Sequence, residues 1–348
     1  MRIIQVIRSL TFGGAENHVL SLSLGLREMG HDVLVVGPKN SWISDQCTIH
    51  QLPMELAPMR GIADVTSYWK LHRLIKFWKA DIAHAHQVRP SQYVGIATMG
   101  TKAVPVSTVH STSSSKHMRR CRHLIAVADA VEANLVRHHY PKEIITRIYN
   151  GVPDMIRGER DLLRQELAIP DEQFAVVLAG RFHRDKGQDL LVEIARLSPE
   201  NVHIYFLGDT ETGFGHQVIA MAEGHPRIHF LGYRNDVQRI LPAFDVYAAP
   251  SRREAFSLSL VEAGAASLPV VGMQVGGIPE GVLNGETGIL VPPGDISAFA
   301  DAIQRLAFDK ALSAKLGTQA RQRYKKEFTV EHMLEQTERV YKKLLGKV

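Results

Sequence analysis

Short apolar runs and amphipathic segments alternate along the first part of the chain. The run "IIQVIRSL" is followed by a glycine pair and then by "AENHVLSLSLGLREMG". In that segment Val19, Leu22 and Leu26 repeat at helical spacing, and Gly30 is placed to end the helix. The later runs "DVLVVG", "DIAHAH", "VPVSTVH" and "HLIAVAD" are typical of buried strands. This alternation predicts an α/β fold, a parallel sheet with helices on both faces.

The same alternation starts again after about residue 156. Strand-like runs such as "QFAVVLAG", "VHIYFLG", "VYAAPS" and "LPVVG" are separated by segments with helical spacing, such as "QDLLVEIARL". A chain of 348 residues also exceeds the length that one core usually supports. We therefore predict two facing Rossmann-like domains, residues 1–155 and 156–330, with a hinge at 150–160. Residues 331–348 are predicted to be largely helical.

The bulk composition is that of an ordinary globular protein, with 45% hydrophobic and 22% charged residues. No apolar run approaches the roughly 18 residues that a membrane span requires. The first strand is interrupted by Arg8 and lacks the small-residue cleavage site of a signal peptide. Cys47 and Cys121 cannot build a disulfide framework. We therefore expect a cytoplasmic protein.

Positive charge is concentrated in the first half. Residues 1–155 hold 18 Lys/Arg against 11 Asp/Glu, a net charge of +7, and the remainder holds 23 against 25, a net charge of −2. Four of these basic residues form a short basic loop: Lys116, Arg119, Arg120 and Arg122. We expect the basic loop to contact an anionic membrane surface, at its inner face, or a charged acceptor. Nucleic acid is disfavoured as a partner, because no recognition motif accompanies the charge.

The segment "SYWKLHRLIKFWKA" (67–80) has two interpretations, because it combines two Trp with several basic residues. It could lie on a membrane, or it could pack against the sheet. Leu71, Leu74, Ile75 and Trp78 form one apolar stripe, and basic residues occupy the other side. This pattern favours a helix packed on the sheet.

Three loops follow predicted strands, where a parallel sheet binds its ligands. In "GRFHRDKG" (180–187), Arg181 and Lys186 could clamp a diphosphate or could be ordinary solvated charges. Gly14 could let the backbone approach a phosphate or could serve only a tight turn. The glycines of "GMQVGGIPEG" (272–281) leave the same two alternatives open. The three-glycine dinucleotide fingerprint is absent, which argues against a nicotinamide enzyme.

Two carboxylates stand out in "REAFSLSLVEAG" (253–264), an otherwise apolar stretch. On one continuous helix, Glu254 and Glu262 would lie about 80° apart and about 12 Å along the axis, so they would not converge. We therefore predict that Glu254 precedes a helix that begins near Ser257. Glu254 would then lie at the end of the preceding strand, and Glu262 would reach a more distant part of the same elongated ligand.

No motif indicates a resident metal or a hydrolase. No D-x-D sequence occurs, and "GDTE" (208–211) is only the nearest approach. His84 and His86 share one face of a strand and could ligate zinc, but the sequence offers no evident third ligand. The run "STSSS" (111–115) lacks the pattern of a nucleophile elbow and is interpreted as a polar loop.

Several of these motifs together resemble the retaining glycosyltransferases of GT-B architecture, the large family 4 group. "EAFSLSLVE" is similar to the E-x7-E element of that family. "GGAE", "TVH", "NGV", "GRFHRDKG", "GD", "GGIPE" and "TGILVPPGD" match further family elements in order and span nearly the whole chain. Departures occur at Ala255-Phe256-Ser257, where relatives often have Gly-Phe-Gly, and at Ser111, where an Asp is frequent.

The resemblance implies a role for each matched residue. Glu254 and the N–H groups of the residues that follow it would hold the sugar of a nucleotide-sugar donor. Glu262 would bind the ribose, and Arg181 with Lys186 would bind the diphosphate. The remaining residues implied at the donor are Gly14 near the phosphate, His110 facing the transferred sugar, and the segment Ala255, Phe256, Ser257 and Leu258. The C-terminal helix would cross back onto the first domain.

The expected function is therefore transfer of a hexose-type sugar from a nucleotide-diphosphate sugar to a hydroxyl of a glycan or lipid-linked acceptor, with retention. The resemblance suggests cell-surface polysaccharide or lipopolysaccharide assembly. No metal or other cofactor is expected, because the cation pair and a helix N-terminus can neutralise the leaving diphosphate. Two alternatives stay open from the sequence: a nucleotide-sugar epimerase of the same architecture, and a non-catalytic subunit that binds nucleotide-sugars.

Overall fold

The structure is a computed structural model that describes residues 1–10, 13–61, 63–112, 117–154 and 159–347. The chain forms two compact units, one comprising Met1–Gly151 with Thr329–Val348 and the other comprising Val152–Phe328. Three predicted features lie partly or wholly outside the described residues: the hinge, in its residues 155–158, the "STSSS" run, in its residues 113–115, and Lys116 of the basic loop.

The first unit is built on a parallel sheet of seven strands in its described residues, in the order β3-β2-β1-β4-β5-β6-β7. The strands are β1 (Arg2–Ile7), β2 (Asp32–Gly37), β3 (Met54–Leu56), β4 (Ile82–His86), β5 (Val104–Val109), β6 (His123–Ala126) and β7 (Ile145–Arg147). The helices of this unit, numbered along the chain, are α1 (Gly14–Glu28), α2 (Trp42–Ile49), α3 (Val65–Phe77), α4 (Val88–Ala97), α5 (Asp129–Arg137) and α14 (Val330–Leu344).

Helices cover both faces of this sheet, as alternation along β1 shows. Ile4 and Val6 pack with residues of α3 and α4 on one face. Ile3 packs on the other face with residues of α1 and of α14, the C-terminal helix. Close packing of α14 on α1 requires a small residue, because a Cβ at Gly25 would lie within 3 Å of Leu334. The last helix of the chain therefore belongs to the core of the first unit.

The interpretation of residues 67–80 as a packed helix is confirmed for its apolar stripe. Leu71 and Ile75 are buried in the core on α3, with Leu74 and Trp78 packed at its edge. Two large side chains of the same helix remain in solvent, because they lie off that stripe: Trp69 is 60% exposed and Phe77 is 88% exposed.

The second unit contains a parallel sheet of six strands in its described residues, in the order β10-β9-β8-β11-β12-β13. The strands are β8 (Phe174–Ala179), β9 (Val202–Leu207), β10 (Ile228–Phe230), β11 (Val246–Ala249), β12 (Val270–Met273) and β13 (Gly288–Val291). The helices are α6 (Arg160–Glu166), α7 (Gln188–Leu197), α8 (Gly213–Ala222), α9 (Val237–Ile240), α10 (Leu258–Ala265), α11 (Ile278–Gly281), α12 (Ile296–Phe308) and α13 (Lys310–Glu327). The prediction of two α/β domains with parallel sheets is confirmed.

Candidate active site

The loops that follow β8 and β11 are neighbours in the second unit, because these two strands pair in parallel. The loop after β8 carries Arg181 and Lys186 and leads into α7. The loop after β11 carries Glu254 and leads into α10. The fold thus brings the predicted cations and the first predicted carboxylate to the carboxyl edge of one sheet, where parallel α/β sheets bind ligands.

Lys186 and Glu254 form an ion pair at this edge. The ammonium Nζ of Lys186 lies 2.5 Å from the carboxylate Oε2 of Glu254, and the two side chains are 30% and 12% exposed. Both groups line a cleft that also contains the side chains of Tyr247 and Ser257. Because the pair is partly removed from water, removal of one charge leaves the other poorly solvated.

A second ion pair joins the loop after β11 to the first turn of α7. The guanidinium of Arg252 donates to both carboxylate oxygens of Asp189, each at 2.7 Å. The backbone N–H of Arg252 also donates to the carbonyl of Asp185 at 2.7 Å. A bidentate pair of this kind adds geometric specificity to its energy. Neither residue was predicted from the sequence, where Arg252 lies just after a predicted strand and Asp189 lies at the start of the helix after another.

Two glycines allow close backbone packing beneath the ion pair. Gly187 has φ +76°, and a Cβ there would lie 2.1 Å from the carbonyl oxygen of Pro250. Gly276 has φ +51°, and its Cβ would lie 1.8 Å from the carbonyl oxygen of Glu254. The N–H of Gly277 donates to that same oxygen at 3.1 Å. The glycines of "GMQVGGIPEG" therefore support the backbone of Glu254.

The helix after Glu254 begins at Leu258, so the prediction that Glu254 precedes the helix is confirmed. Ser257 is the N-cap residue and makes no side-chain cap. Within the described residues, the N–H groups of Ala255, Ser257 and Leu258 have no hydrogen-bond partner. Phe256 is 8% exposed, and its ring contacts that of Phe328 in a tilted arrangement with the centroids 5.8 Å apart, which anchors this loop. The free N–H groups can donate to an anionic or hydroxyl-rich ligand.

Glu262 lies farther along α10 and is half-buried. The amide Nε2 of Gln238 donates to its Oε1 at 3.0 Å. Burial raises the pKa of Glu262, and the bond from Gln238 opposes that shift. Burial also raises the pKa of Tyr247, and the charges of Glu262 and Glu254 add to the effect. Tyr247 therefore lies near both carboxylates, although Glu262 does not line the cleft that contains Glu254.

Arg181 differs from its neighbour Lys186, because its guanidinium has no ion pair within the described part of the chain. Its side chain is exposed, and its carbonyl accepts a bond from Gln188 Nε2 at 3.0 Å. The nearby Arg184 is equally exposed, and its carbonyl accepts a bond from Arg252. Arg181 is thus a cation available for an anionic ligand.

The carboxyl edge of the first sheet carries the other predicted residues. Gly14 begins α1 just after β1, and His110 follows β5 directly. His86 ends β4, which lies between β1 and β5 in the sheet. His18 on α1 is 5% exposed, and its ring centroid lies 4.9 Å from that of His110 and 5.4 Å from that of His86.

These imidazoles are held neutral by their surroundings. Burial lowers the pKa of His18 to about 4, although the Asn150 side chain opposes the shift. Burial, with repulsion from the neighbouring imidazoles, lowers the pKa of His86 and of His110 well below the usual range. His18 was not predicted from the sequence, since one histidine on an amphipathic helix gives no signal of its own.

Comparisons with known proteins agree with this arrangement. Residues 12–154 match the model described as Glycosyltransferase Family 4, and residues 173–309 match the model described as Glycosyl transferases group 1. The chain belongs to the family 4 glycosyltransferases. The two models together span both units of this glycosyltransferase, so the resemblance inferred from its motifs is confirmed at the family level.

Individual relatives of this glycosyltransferase are distant. N-acetyl-alpha-D-glucosaminyl L-malate synthase of Bacillus anthracis is 28% identical, over 75% of this chain and 74% of its own. The UDP-Gal:alpha-D-GlcNAc-diphosphoundecaprenol alpha-1,3-galactosyltransferase of Escherichia coli is 27% identical, over 80% and 79%. The crystal structure of Anabaena HepE with UDP-glucose has a TM-score of 0.87 at 23% identity, covering 98% of this chain and 99% of HepE. This likeness confirms the GT-B fold class.

None of the helices in the described parts of the chain is both long enough and apolar enough to cross a bilayer.

Proposed function

We propose that this glycosyltransferase moves a hexose-type sugar from a nucleotide-diphosphate sugar to a hydroxyl acceptor, with retention. The observation that carries the proposal is the cleft at the edge of the second sheet. There the Lys186–Glu254 pair lies beside the N–H groups of Ser257 and Leu258, which have no partner among the described residues, and Arg181 is available in the adjoining loop. Such a site supplies positive charge for a diphosphate and an acid for a sugar in one place.

Each group has a distinct proposed role. Arg181 and Lys186 neutralise the diphosphate as it leaves, helped by the N–H groups at the start of α10. Glu254 acts at the sugar, where positive charge develops, and Glu262 binds the ribose hydroxyls. In the first unit, Gly14 approaches the phosphate and His110 faces the transferred sugar. Because these groups supply the positive charge, we propose that the transfer requires no divalent metal.

The donor and acceptor classes are proposed from the relatives. HepE binds UDP-glucose, and the Escherichia coli relative carries UDP-Gal and a diphosphoundecaprenol acceptor in its name. We therefore propose a UDP-sugar as the first donor to test and a glycan or lipid-linked acceptor, within cell-surface polysaccharide or lipopolysaccharide assembly. A lipid-linked acceptor would bring the protein to the inner membrane surface.

A membrane-surface role finds support in the first unit. Arg119, Arg120 and Arg122 of the basic loop are exposed. Arg120 packs against Gly95 on α4, and α4 packs against α3, the helix that exposes Trp69 and Phe77. Basic and aromatic side chains on one helical layer are typical of an interfacial membrane contact.

The experiment that tests the donor site is a thermal-shift screen against UDP-, GDP- and ADP-sugars, followed by calorimetry with the selected nucleoside diphosphate. Arg181→Ala should weaken binding by roughly ten- to a hundredfold, the value of one charge-assisted contact. Arg184→Ala is the matched control, because it removes the same charge from the same loop. Equal affinities of wild type and Arg181→Ala would contradict the proposed diphosphate site.

Transfer itself is tested with the selected donor. The anomeric configuration of the product, read by NMR, should match that of the donor. Activity should persist in EDTA, since the proposed site neutralises charge without a metal. Loss of activity in EDTA that Mg²⁺ restores would refute the proposed role of Arg181 and Lys186, and product with the opposite anomeric configuration would refute retention.

A further inference from the structure

Three imidazoles converge at the carboxyl edge of the first sheet. His18 comes from α1, His86 from the end of β4 and His110 from the loop after β5. Their ligand nitrogens all lie within 4.8 Å of one another. No other group of three His, Cys, Asp or Glu residues in the described parts of the chain meets that condition. The cluster exists because strands β1, β4 and β5 are neighbours, so their ends and the start of α1 lie together.

The orientation of His86 is that of a metal ligand. Its Nε2 donates to the side-chain oxygen of Gln5 at 2.7 Å, so the lone pair of Nδ1 points into the cluster. That Nδ1 lies 3.4 Å from Nε2 of His110. Two nitrogens each about 2.1 Å from a tetrahedral zinc ion are about 3.4 Å apart, so this pair already has the required spacing. Metal-bound histidines usually donate their second ring N–H to a carboxylate, a backbone carbonyl or water, and the amide oxygen of Gln5 provides an acceptor in that position here.

His18 supplies the third position. It is 5% exposed, and neither of its ring nitrogens makes a hydrogen bond of normal geometry among the described residues, although the Asn150 side chain lies near enough to oppose the fall in its pKa. Buried polar atoms are normally paired, so two unpaired nitrogens on one ring indicate a missing partner. Rotation of His18 toward the other two rings therefore breaks no hydrogen bond.

His84 shows the contrast. It lies on the same face of β4 as His86, but its Nδ1 contacts the hydroxyl of Tyr341 and its Nε2 contacts Thr108 at 2.7 Å. Both of its nitrogens are engaged, so His84 is not available as a ligand. The sequence suggested His84 and His86 as a pair of ligands. In the structure His86 is grouped instead with His18 of α1 and with His110, which follows β5.

We propose that His18, His86 and His110 bind one divalent transition-metal ion, such as Zn²⁺, with the fourth coordination position open. Three imidazoles suit zinc, cobalt, nickel and copper, whereas magnesium and calcium prefer oxygen ligands. His110 is only partly buried, so an ion can enter from its side of the cluster. All three proposed ligands belong to the first unit.

One consequence rests on the proposed function. His110 is proposed to face the transferred sugar, and an ion bound to its ring would withdraw that side chain from the donor. Zn²⁺ should therefore inhibit hydrolysis or transfer of the donor sugar, and EDTA should restore the rate. The ion is thus an inhibitor of the reaction and not a participant in it.

The test is a titration of the untagged full chain, first stripped with EDTA, with Co²⁺ followed by its visible spectrum and with Zn²⁺ followed by calorimetry. We expect one ion per chain and the intense spectrum of four-coordinate cobalt. His18→Gln and His110→Gln should each weaken binding roughly a hundredfold, the share of one ligand in such a site. Excess Mg²⁺ should displace neither ion.

Two further variants separate the site from general histidine binding. His203→Gln is the matched control, because His203 contacts His229 at 3.0 Å but no third ligand joins them in the described parts of the chain, so its removal should leave affinity unchanged. Gln5→Leu keeps all three ligands and should weaken binding about ten- to a hundredfold, since the orientation of His86 is lost. Circular dichroism confirms the fold of each variant.

The proposal is overturned if wild type shows no saturable one-to-one binding, or if His203→Gln weakens binding as much as His110→Gln. It is supported if binding depends on His18, on His110 and on Gln5, which orients His86, whatever happens to activity. Zn²⁺ binding that depends on these residues but does not inhibit the enzyme would support the metal site. It would refute the proposed position of His110 at the sugar.

Discussion

Substitution of Gly276 by alanine tests whether the backbone of Glu254 must be held where the structure places it. A Cβ at Gly276 would lie 1.8 Å from the carbonyl oxygen of Glu254, whereas ordinary contact begins at 3.4 Å. The two chain segments must therefore separate by about 1.6 Å, and the bond from the N–H of Gly277 to that oxygen at 3.1 Å is disturbed. Alanine at φ +51° adds a backbone cost of about 1–2 kcal/mol.

Gly285 provides a matched control for the backbone cost. It has φ +76°, and a Cβ there would meet nothing within 4 Å. Gly285→Ala should therefore lose about 1–2 kcal/mol of unfolding free energy and keep normal activity. Gly276→Ala should lose more stability and about a hundredfold in the rate of donor turnover, because a misplacement of about 1 Å at a reacting group has that effect.

The assay combines urea unfolding with hydrolysis of the donor selected by the thermal-shift screen, which requires no acceptor. All three tryptophans of the chain, Trp42, Trp69 and Trp78, lie in the first unit, so their fluorescence reports on the unit that carries neither substitution. Circular dichroism reports on both units, so an unfolding transition that it shows and the tryptophan fluorescence lacks belongs to the second unit. If folded Gly276→Ala hydrolysed the donor as fast as Gly285→Ala, Glu254 would not act from its observed position.

Three further outcomes are expected. Glu254→Gln should lower kcat by about 10²–10³, because the interaction of Glu254 with the sugar strengthens in the transition state. Glu262→Ala should chiefly raise the donor KM. The two roles would be contradicted if both variants changed kcat and KM in the same way. Replacing the four cations of the basic loop by serine should reduce sedimentation with anionic vesicles at unchanged nucleotide affinity, and unchanged sedimentation would remove the membrane-surface proposal. Burial lowers the pKa of His123 to about 4, so the unfolded state takes up a proton at a higher pH than the folded state does. As the pH falls from 6.5 to 4, up to about 3 kcal/mol of the free energy of unfolding should therefore be lost. His123→Gln should reduce this loss when unfolding is followed by tryptophan fluorescence.

The tertiary contacts change what is expected of the ion pair. The sequence suggests two independent roles for Lys186 and Glu254, one at the diphosphate and one at the sugar. In the structure their charged atoms are 2.5 Å apart, so either substitution also leaves a partly buried partner. Arg181 has no such partner in the described chain, which makes Arg181→Ala the cleaner measure of diphosphate binding.

Local periodicity determined most of the fold. The strands and helices could be predicted because burial on a sheet imposes a short apolar run and packing on a sheet imposes helical spacing. The position of Glu254 before α10 was predictable for the same reason, since eight residues of continuous helix cannot bring Glu254 and Glu262 together. Strand ends also predicted where Arg181 and Lys186 would lie, because parallel strands carry their binding loops at one edge. The position of His110 was implied only by the family resemblance.

Only the tertiary structure decided which side chains meet. The Arg252–Asp189 pair depends on the adjacency of β8 and β11, and the three-histidine cluster depends on the order of β1, β4 and β5. The sequence pattern does not distinguish His84 from His86. In the structure Tyr341 and Thr108 contact His84, whereas His18 and His110 surround His86. Periodicity is a local property of the chain, whereas the pairing of strands and the contacts of their loops join residues far apart in sequence, so local patterns carry no record of them.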